Sequence, residues 1–386
     1  MDDSVDYFSE LGAQVRALLP ECIELRRTLH MHPELSLSET ETVATLTAFL
    51  KRHGLSPVSA DFPSVICDTG PEPVIALRAD MDALPVKENS GEVFSSRNEG
   101  VMHACGHDAH SAILAGAGVL IRKRGRTRAR LIFQPAEEIG KGASMMIGSN
   151  VLNGIKLIFG LHVWPSLDTG TVAILDGPAM AAFDEFSIKI SGGGGHGAYP
   201  HLAKDSILAA SSIVTSANWL VSRIIDPVQS AVLSFGSIQG GKAANVIPSD
   251  VTMSGTIRTF SGEVRDRLMD GLRRVCDRTA GLFGVNVTID WRSSSPPVVN
   301  DASFASGCRT IASSFIKNVE CSRTMGSEDF AFYLQKVKGA FAFLGTGKDE
   351  GTRASKHSSA FRLDEEAIYY GIMLETAIAE GAMKQD

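Results

Sequence analysis

Three short apolar runs, each closed by side chains able to bind metal, constrain this chain more than any other feature. Pro73-Val74-Ile75-Ala76-Leu77-Arg78 is followed by Asp80-Met81-Asp82, and Ala129-Arg130-Leu131-Ile132-Phe133-Gln134 runs into Pro135-Ala136-Glu137-Glu138. Lys156-Leu157-Ile158-Phe159-Gly160-Leu161 runs into His162-Val163-Trp164-Pro165. Continuous apolar runs of this length suit strands buried on both faces. The segments between them read as helices: 109–124, rich in Ala and Gly, and one through Met145 and Met146. Alternating buried strand and helix indicates an α/β domain with a largely parallel sheet. Open α/β sheets carry their sites beyond the carboxyl ends of the strands. The carboxylates and the histidine are expected there.

Met102-His103-Ala104-Cys105-Gly106-His107-Asp108-Ala109-His110 packs three histidines, a cysteine and an aspartate into nine residues. On a helix, Cys105 and His107 would point apart; in an extended or turn segment both can face one point. Thiolate and imidazole together suit zinc, and imidazole with carboxylates also suits manganese or cobalt. Cys105, His107, Glu137, Glu138, His162 and His357 are too many ligands for one closed structural zinc. They suffice for two adjacent metals with one carboxylate to spare, which could act as a general base. Chemistry alone therefore points to a metal-dependent hydrolase of a carbonyl compound.

Elsewhere, residues 4–31 read as helical, with Pro20 expected to interrupt the run or to open a second helix. Ser38-Glu39-Thr40-Glu41 reads as a capping box for a helix to about His53, stopped by Gly54. The character changes near Met180. A strand (183–190), the glycine-rich Ser191–His201 segment, a helix (203–222), strands at 231–238 and 250–258, a helix (262–280) and a strand (285–291) give a β-α-β-β-α-β order. That is the order of a ferredoxin-like α+β sandwich. It reads as an insertion, 182–294, in a catalytic domain made of 1–181 and 295–386. Helices at 302–316, 327–337 and 364–383 then surround a strand at 340–344. The glycine run lacks the Lys-Ser/Thr of a phosphate-binding loop and the spacing of a dinucleotide fingerprint.

The 386 residues carry a formal charge of −7, which argues against general nucleic-acid binding. The basic run Arg122–Arg130 reads as a solvated helix end, or else as a patch for an acidic partner. No stretch reaches the roughly 18 apolar residues of a membrane span. The acidic opening Met1-Asp2-Asp3-Ser4 does not read as a signal peptide, and six scattered cysteines fit a reducing, cytoplasmic setting.

As an ordered set the motifs resemble the M20 metallopeptidase family, in the amidohydrolase branch of hippurate hydrolases, aminoacylase-like enzymes and plant auxin-conjugate hydrolases. The matching stretches are Leu29–Glu34, Arg78–Pro85, Met102–His110, Gln134–Glu138, Gly160-Leu161-His162, Gly195-His196 to Pro200-His201, Asn245–Pro248, Gly255–Arg258, Met325–Phe330 and His357-Ser358. The resemblance implies two divalent ions (Zn, Mn or Co) held by Cys105, His107, Glu138, His162 and His357, with Cys105 bridging. It implies Glu137 as general base, Asp80 as a supporting acid, and His196 as the group that polarises the scissile carbonyl, in dimeric relatives the partner subunit's. Asn245 and Arg258 match substrate-holding positions, Arg258 for a carboxylate. The implied substrate is a small N-acyl amino acid. The implied assembly is a homodimer or higher homo-oligomer through a lid domain, with no nucleic-acid or membrane partner. A dipeptidase, a deacetylase of a diamino or cyclic metabolite, and a catalytically silent metal-binding homologue are the alternatives. The chain departs from the family in having Gly193 where a lysine is frequent and Gly197 where an alanine is. Asp82 and Asp108 also read as loop-capping or first-turn acids, and His30, His32, His103, His110 and His201 as structural side chains.

Overall fold

The apolar runs assemble into one seven-stranded sheet in the order Val65–Asp68, Ala129–Gln134, Ile75–Asp80, Leu157–Asp168, Lys338–Gly347, Thr171–Ala173, Lys317–Asn318. Its four central neighbours, from Ala129–Gln134 to Lys338–Gly347, are parallel. The computed structural model describes residues 2–382; Met1 and the expected helix end at 383 lie outside them. Pro178–Val298 and Arg323–Glu328 form one compact unit, and the rest of the described chain forms the other.

In the unit with the seven-stranded sheet, the helix His107–Arg124 is buried from its first residue to Ile121, as its Ala and Gly content permits. It packs between the first helix, Asp2–Met31, and the last, Glu366–Ala382. Pro20 does not break the first helix. It lies on the exposed side, while Leu18, Leu19 and Cys22 are buried and hold the backbone on course. The capping box does not form either. Glu39 makes no cap to the helix Thr40–Arg52. Glu34 does that work instead, accepting the N–H groups of Glu41 (3.1 Å) and Thr42 (2.8 Å). The helix expected at 327–337 shrinks to one turn, Ala331–Leu334. The strand expected to stop at Leu161 runs on through His162 to Asp168, because Lys338–Gly347 pairs with it up to Trp164 and, past an irregularity, again at Asp168.

The other unit is a four-stranded antiparallel sheet, ordered Asn286–Ser295, Ala182–Ser191, Asp250–Thr259, Ala231–Gly240, with helices Ser206–Trp219 and Gly262–Phe283. Phe186, Ile188, Ile190, Ala209, Ile213, Leu268 and Leu272 share its core. Side-chain caps fix both helix starts: Asp205 accepts from Ile207 and Leu208, and Ser261 from Val264. Among the described residues, Ser206–Ile224 is apolar and long enough to cross a membrane by length and composition. In this fold its Ala209, Ala210, Ile213 and Ala217 face the sheet core instead.

Candidate metal centre and active site

Cys105 and His107 are turned toward each other by Gly106, whose φ of +89° lies in the left-handed region. A Cβ there would also fall 2.4 Å from Val163, so only glycine fits. Cys105 Sγ lies 3.4 Å from His162 Nε2. His107 Nε2 is 3.8 Å from Glu138 Oε1, which is 3.6 Å from His357 Nε2. The backbone N–H of His357 donates to Ala104 O at 2.8 Å, tying the distant loop to the Cys/His turn.

The ligating atoms fall into overlapping triads: Cys105, His107 and His162; Cys105, Glu138 and His357; and His107, Glu137 and Glu138. The first two share the sulfur. The five expected metal-binding residues are thus brought together, and Glu137 lies beside them. The histidine tautomers suit metal. His107 Nδ1 faces the Asp82 carbonyl (2.9 Å) and His162 Nδ1 the Val163 carbonyl (2.7 Å). A carbonyl can only accept, so each Nδ1 carries the proton and each Nε2 keeps a lone pair. His107 Nε2, Glu138 Oε1 and Asp82 Oδ1 are buried with no hydrogen-bond partner. Buried polar atoms are rarely left so, and a divalent cation fits the donors left open.

Burial, reinforced by Lys356, holds His162 well below the usual histidine range and His357 below it, which leaves neutral imidazoles. Burial pushes Glu138 up to about 7 and raises the Cys105 thiol. Burial opposes charge on His107 too, yet Asp80 and Cys105 outweigh it and lift its pKa well above normal. A bound cation would take the place of that proton.

Asp80 ends its strand and does not stand after it. It accepts from His110 Nδ1 at 2.6 Å and from Arg78 Nη1 at 2.8 Å. His110 Nε2 accepts from the Val163 N–H, so both of its ring nitrogens are engaged within the fold. Arg78 also reaches Gln134 (2.9 Å) and Asp329 (2.9 Å), all buried. Asp82 carries more than a loop cap: its carbonyl fixes His107, and its Oδ2 accepts from Ser36 Oγ and the Glu138 N–H. Asp108 pairs with Arg26 and His30, both at 2.9 Å.

Glu39, unremarked in the sequence except as part of a cap, is fully buried, and its Oε1 accepts the Ala136 N–H at 2.9 Å. Ala136 has φ +56°, and the turn it makes presents Glu137 and Glu138. Gly142 closes that turn; a Cβ there would sit 1.7 Å from the Pro135 carbonyl.

His196, Asn245 and Arg258 belong to the second unit. Gly195–His196 pairs with Val246–Ile247, and Gly197 N donates to Asn245 O at 2.8 Å, so His196 and Asn245 are neighbours. Arg258 donates to Met325 O at 2.8 Å and stacks on Phe183 at 4.7 Å.

Fold and cluster together define a hydrolase of the α/β, metal-site class. Residues 76–380 match the model of Peptidase family M20/M25/M40, and the chain belongs to that family. It is 40% identical over 356 residues to N-acetyl-L-cysteine deacetylase of Bacillus subtilis (90% of this chain, 85% of that one). It is also 40% identical over 371 residues to IAA-amino acid hydrolase ILR1-like 4 of Arabidopsis thaliana (92% and 84%). Among solved structures, the Bacillus subtilis YXEP protein, described as a dinuclear metal binding peptidase of the M20 family, superposes with a TM-score of 0.85 at 35% identity. That match covers 96% of this chain and all of the other.

Proposed function

We propose that this enzyme is a dinuclear metal-dependent amidohydrolase that cleaves N-acyl amino acids to a carboxylic acid and a free amino acid. The observation that carries the reading is the pair of ligand triads meeting at Cys105, with His107 Nε2 and Glu138 Oε1 left open. In it Cys105, His107, Glu138, His162 and His357 hold the ions, and Zn, Mn and Co all suit this donor set. Two such ions, when bound, supply an acidified water and a Lewis acid for the carbonyl. Glu137 would serve as the proton carrier, its carboxylate accepting a proton from the attacking water and giving one to the leaving nitrogen. Asp80 keeps His110 and the floor of the site in place, His196 polarises the carbonyl, and Asn245 and Arg258 hold the amino-acid end.

Two relatives bear on the acyl group. The Bacillus subtilis protein is named for deacetylating N-acetyl-L-cysteine, and the Arabidopsis protein for hydrolysing IAA-amino acids. Metal-reconstituted protein should release amine from at least one of N-acetyl-, N-benzoyl- and indole-3-acetyl-amino acids, and a chelated sample from none. Glu137→Gln should retain its metal and lose about 10²–10⁴-fold in turnover; near-normal turnover would sink the assignment. The same reading makes the enzyme a cytoplasmic homodimer or higher homo-oligomer associating through the second unit.

A further inference from the structure

His357 carries its imidazole on a backbone with φ +64°, in the left-handed region. A residue with a Cβ adopts that conformation at a cost and keeps it only where the surroundings impose it. One restraint is the bond from its own N–H to Ala104 O at 2.8 Å. Another comes from a segment that holds none of the ligands. Residues 85–101 form a loop closed at its neck by the reciprocal backbone pair of Leu84 and Met102, 3.0 Å each way. Long connections without helix or strand are usually functional. The Asn89 N–H in this loop donates at 2.7 Å to the carbonyl of Ser359, two residues beyond His357. Glu92 of the same loop lies 3.9 Å from Arg362.

The loop is folded around one carboxylate. Glu88 accepts the Ser96 N–H at 2.6 Å and the Ser90 hydroxyl, and it faces His30 Nε2 at 3.1 Å. His30 Nδ1 in turn faces Asp108 at 2.9 Å. A carboxylate only accepts, so both ring nitrogens carry protons and the buried His30 is an imidazolium. Phe94 of the loop packs edge-on against that ring at 5.5 Å, beneath the guanidinium groups of Arg26 and Arg27 at 5.1 and 4.9 Å. Separating a buried ion pair leaves a charge unpaired and is costly. Glu88 thus ties the loop firmly to the first helix, one residue before Asn89 restrains the His357 segment.

We propose that the loop 85–101 is a brace for one of the two ions, with Glu88 and Asn89 as positioning residues that keep His357 where it completes the triad with Cys105 and Glu138. The inference rests on the proposed dinuclear site. Among the described residues, no hydrogen bond joins the loop to Cys105, His107 or His162. Loss of the brace should therefore act unequally on the two ions.

The test titrates metal-free protein with Co(II) against a chelating competitor and reads both dissociation constants. The wild type should bind two ions per chain, and His357→Ala identifies the step that depends on that histidine. Glu88→Ala and Asn89→Pro, the latter removing the donor N–H, should each weaken the same step by about 10–100-fold and leave the other unchanged. Asn89→Ala, which trims an exposed side chain and keeps the N–H, should bind like the wild type. Glu88→Gln, which keeps an acceptor for Ser96, should show a smaller loss at the same step, and it decides where the harsher variants do not fold. Urea unfolding of the metal-free variants separates loss of the brace from loss of the fold. Two ions bound at wild-type affinity in the folded variants, or both steps weakened alike, overturns the brace and leaves the dinuclear site standing. A wild type that binds fewer than two ions defeats the dinuclear reading itself, and the brace with it.

Discussion

A left-handed alanine is costly, by about 1–2 kcal/mol, and Ala136 pays that cost directly ahead of Glu137 and Glu138. Glu39 is the side chain that holds its N–H. Glu39→Ala should weaken both turnover and metal affinity, the latter read by titration with Co(II). Glu39→Gln, which keeps an acceptor oxygen, should be far milder. Adding Ala136→Gly to Glu39→Ala should recover part of the loss, since glycine adopts that φ without strain; no recovery would show that Glu39 acts some other way. Beneath Asp80, Arg78 is a fully buried cation shared by Asp80 and Asp329. Arg78→Met leaves both carboxylates without that partner and should cost about 3–5 kcal/mol in a urea unfolding series. The signal for this network was present in the sequence: an arginine inside an otherwise apolar strand, two residues before an aspartate.

At the level of elements, periodicity and composition located most strands and helices, because burial on one or two faces leaves a repeating mark. Long-range side chains that end or bend elements leave none. Glu34 caps a helix that Ser38-Glu39-Thr40-Glu41 seemed equipped to cap, and the extension of Leu157–Asp168 beyond Leu161 exists because the distant strand Lys338–Gly347 pairs with it. The candidate ligands were readable as residue types, and the sharing of Cys105 only through the family resemblance; periodicity and composition do not give it, since it depends on the turn at Gly106 and on the loop at His357. The first helix also carries a pH-sensitive contact. His30 faces Asp108, Glu88 and Arg26. Burial and Arg26 oppose its protonation, yet the two carboxylates lift its pKa to about 9. The folded-state pKa is raised above the free value of about 6.5. The stabilisation is therefore complete below pH 6.5 and lost as the pH rises through 9, by up to about 3 kcal/mol. Stability measured from pH 6 to 10 should fall over that window in the wild type and much less in His30→Gln.

For the molecule as a whole, the second unit leaves Leu208, Trp219 and Ile238 more than half exposed, and Ala231–Gly240 is an edge strand of its sheet. Light scattering should find a dimer or larger assembly, and Trp219→Glu should shift it toward monomer. A wild type that is monomeric at micromolar concentration would rule that assembly out. The sulfur common to both ligand triads has a different bearing, on the enzyme's vulnerability. A site whose two halves meet at one atom has a single point of failure. Oxidation of Cys105 to a sulfenic or sulfinic acid would disable both halves at one stroke, and any ion held at that sulfur would also shield it from peroxide.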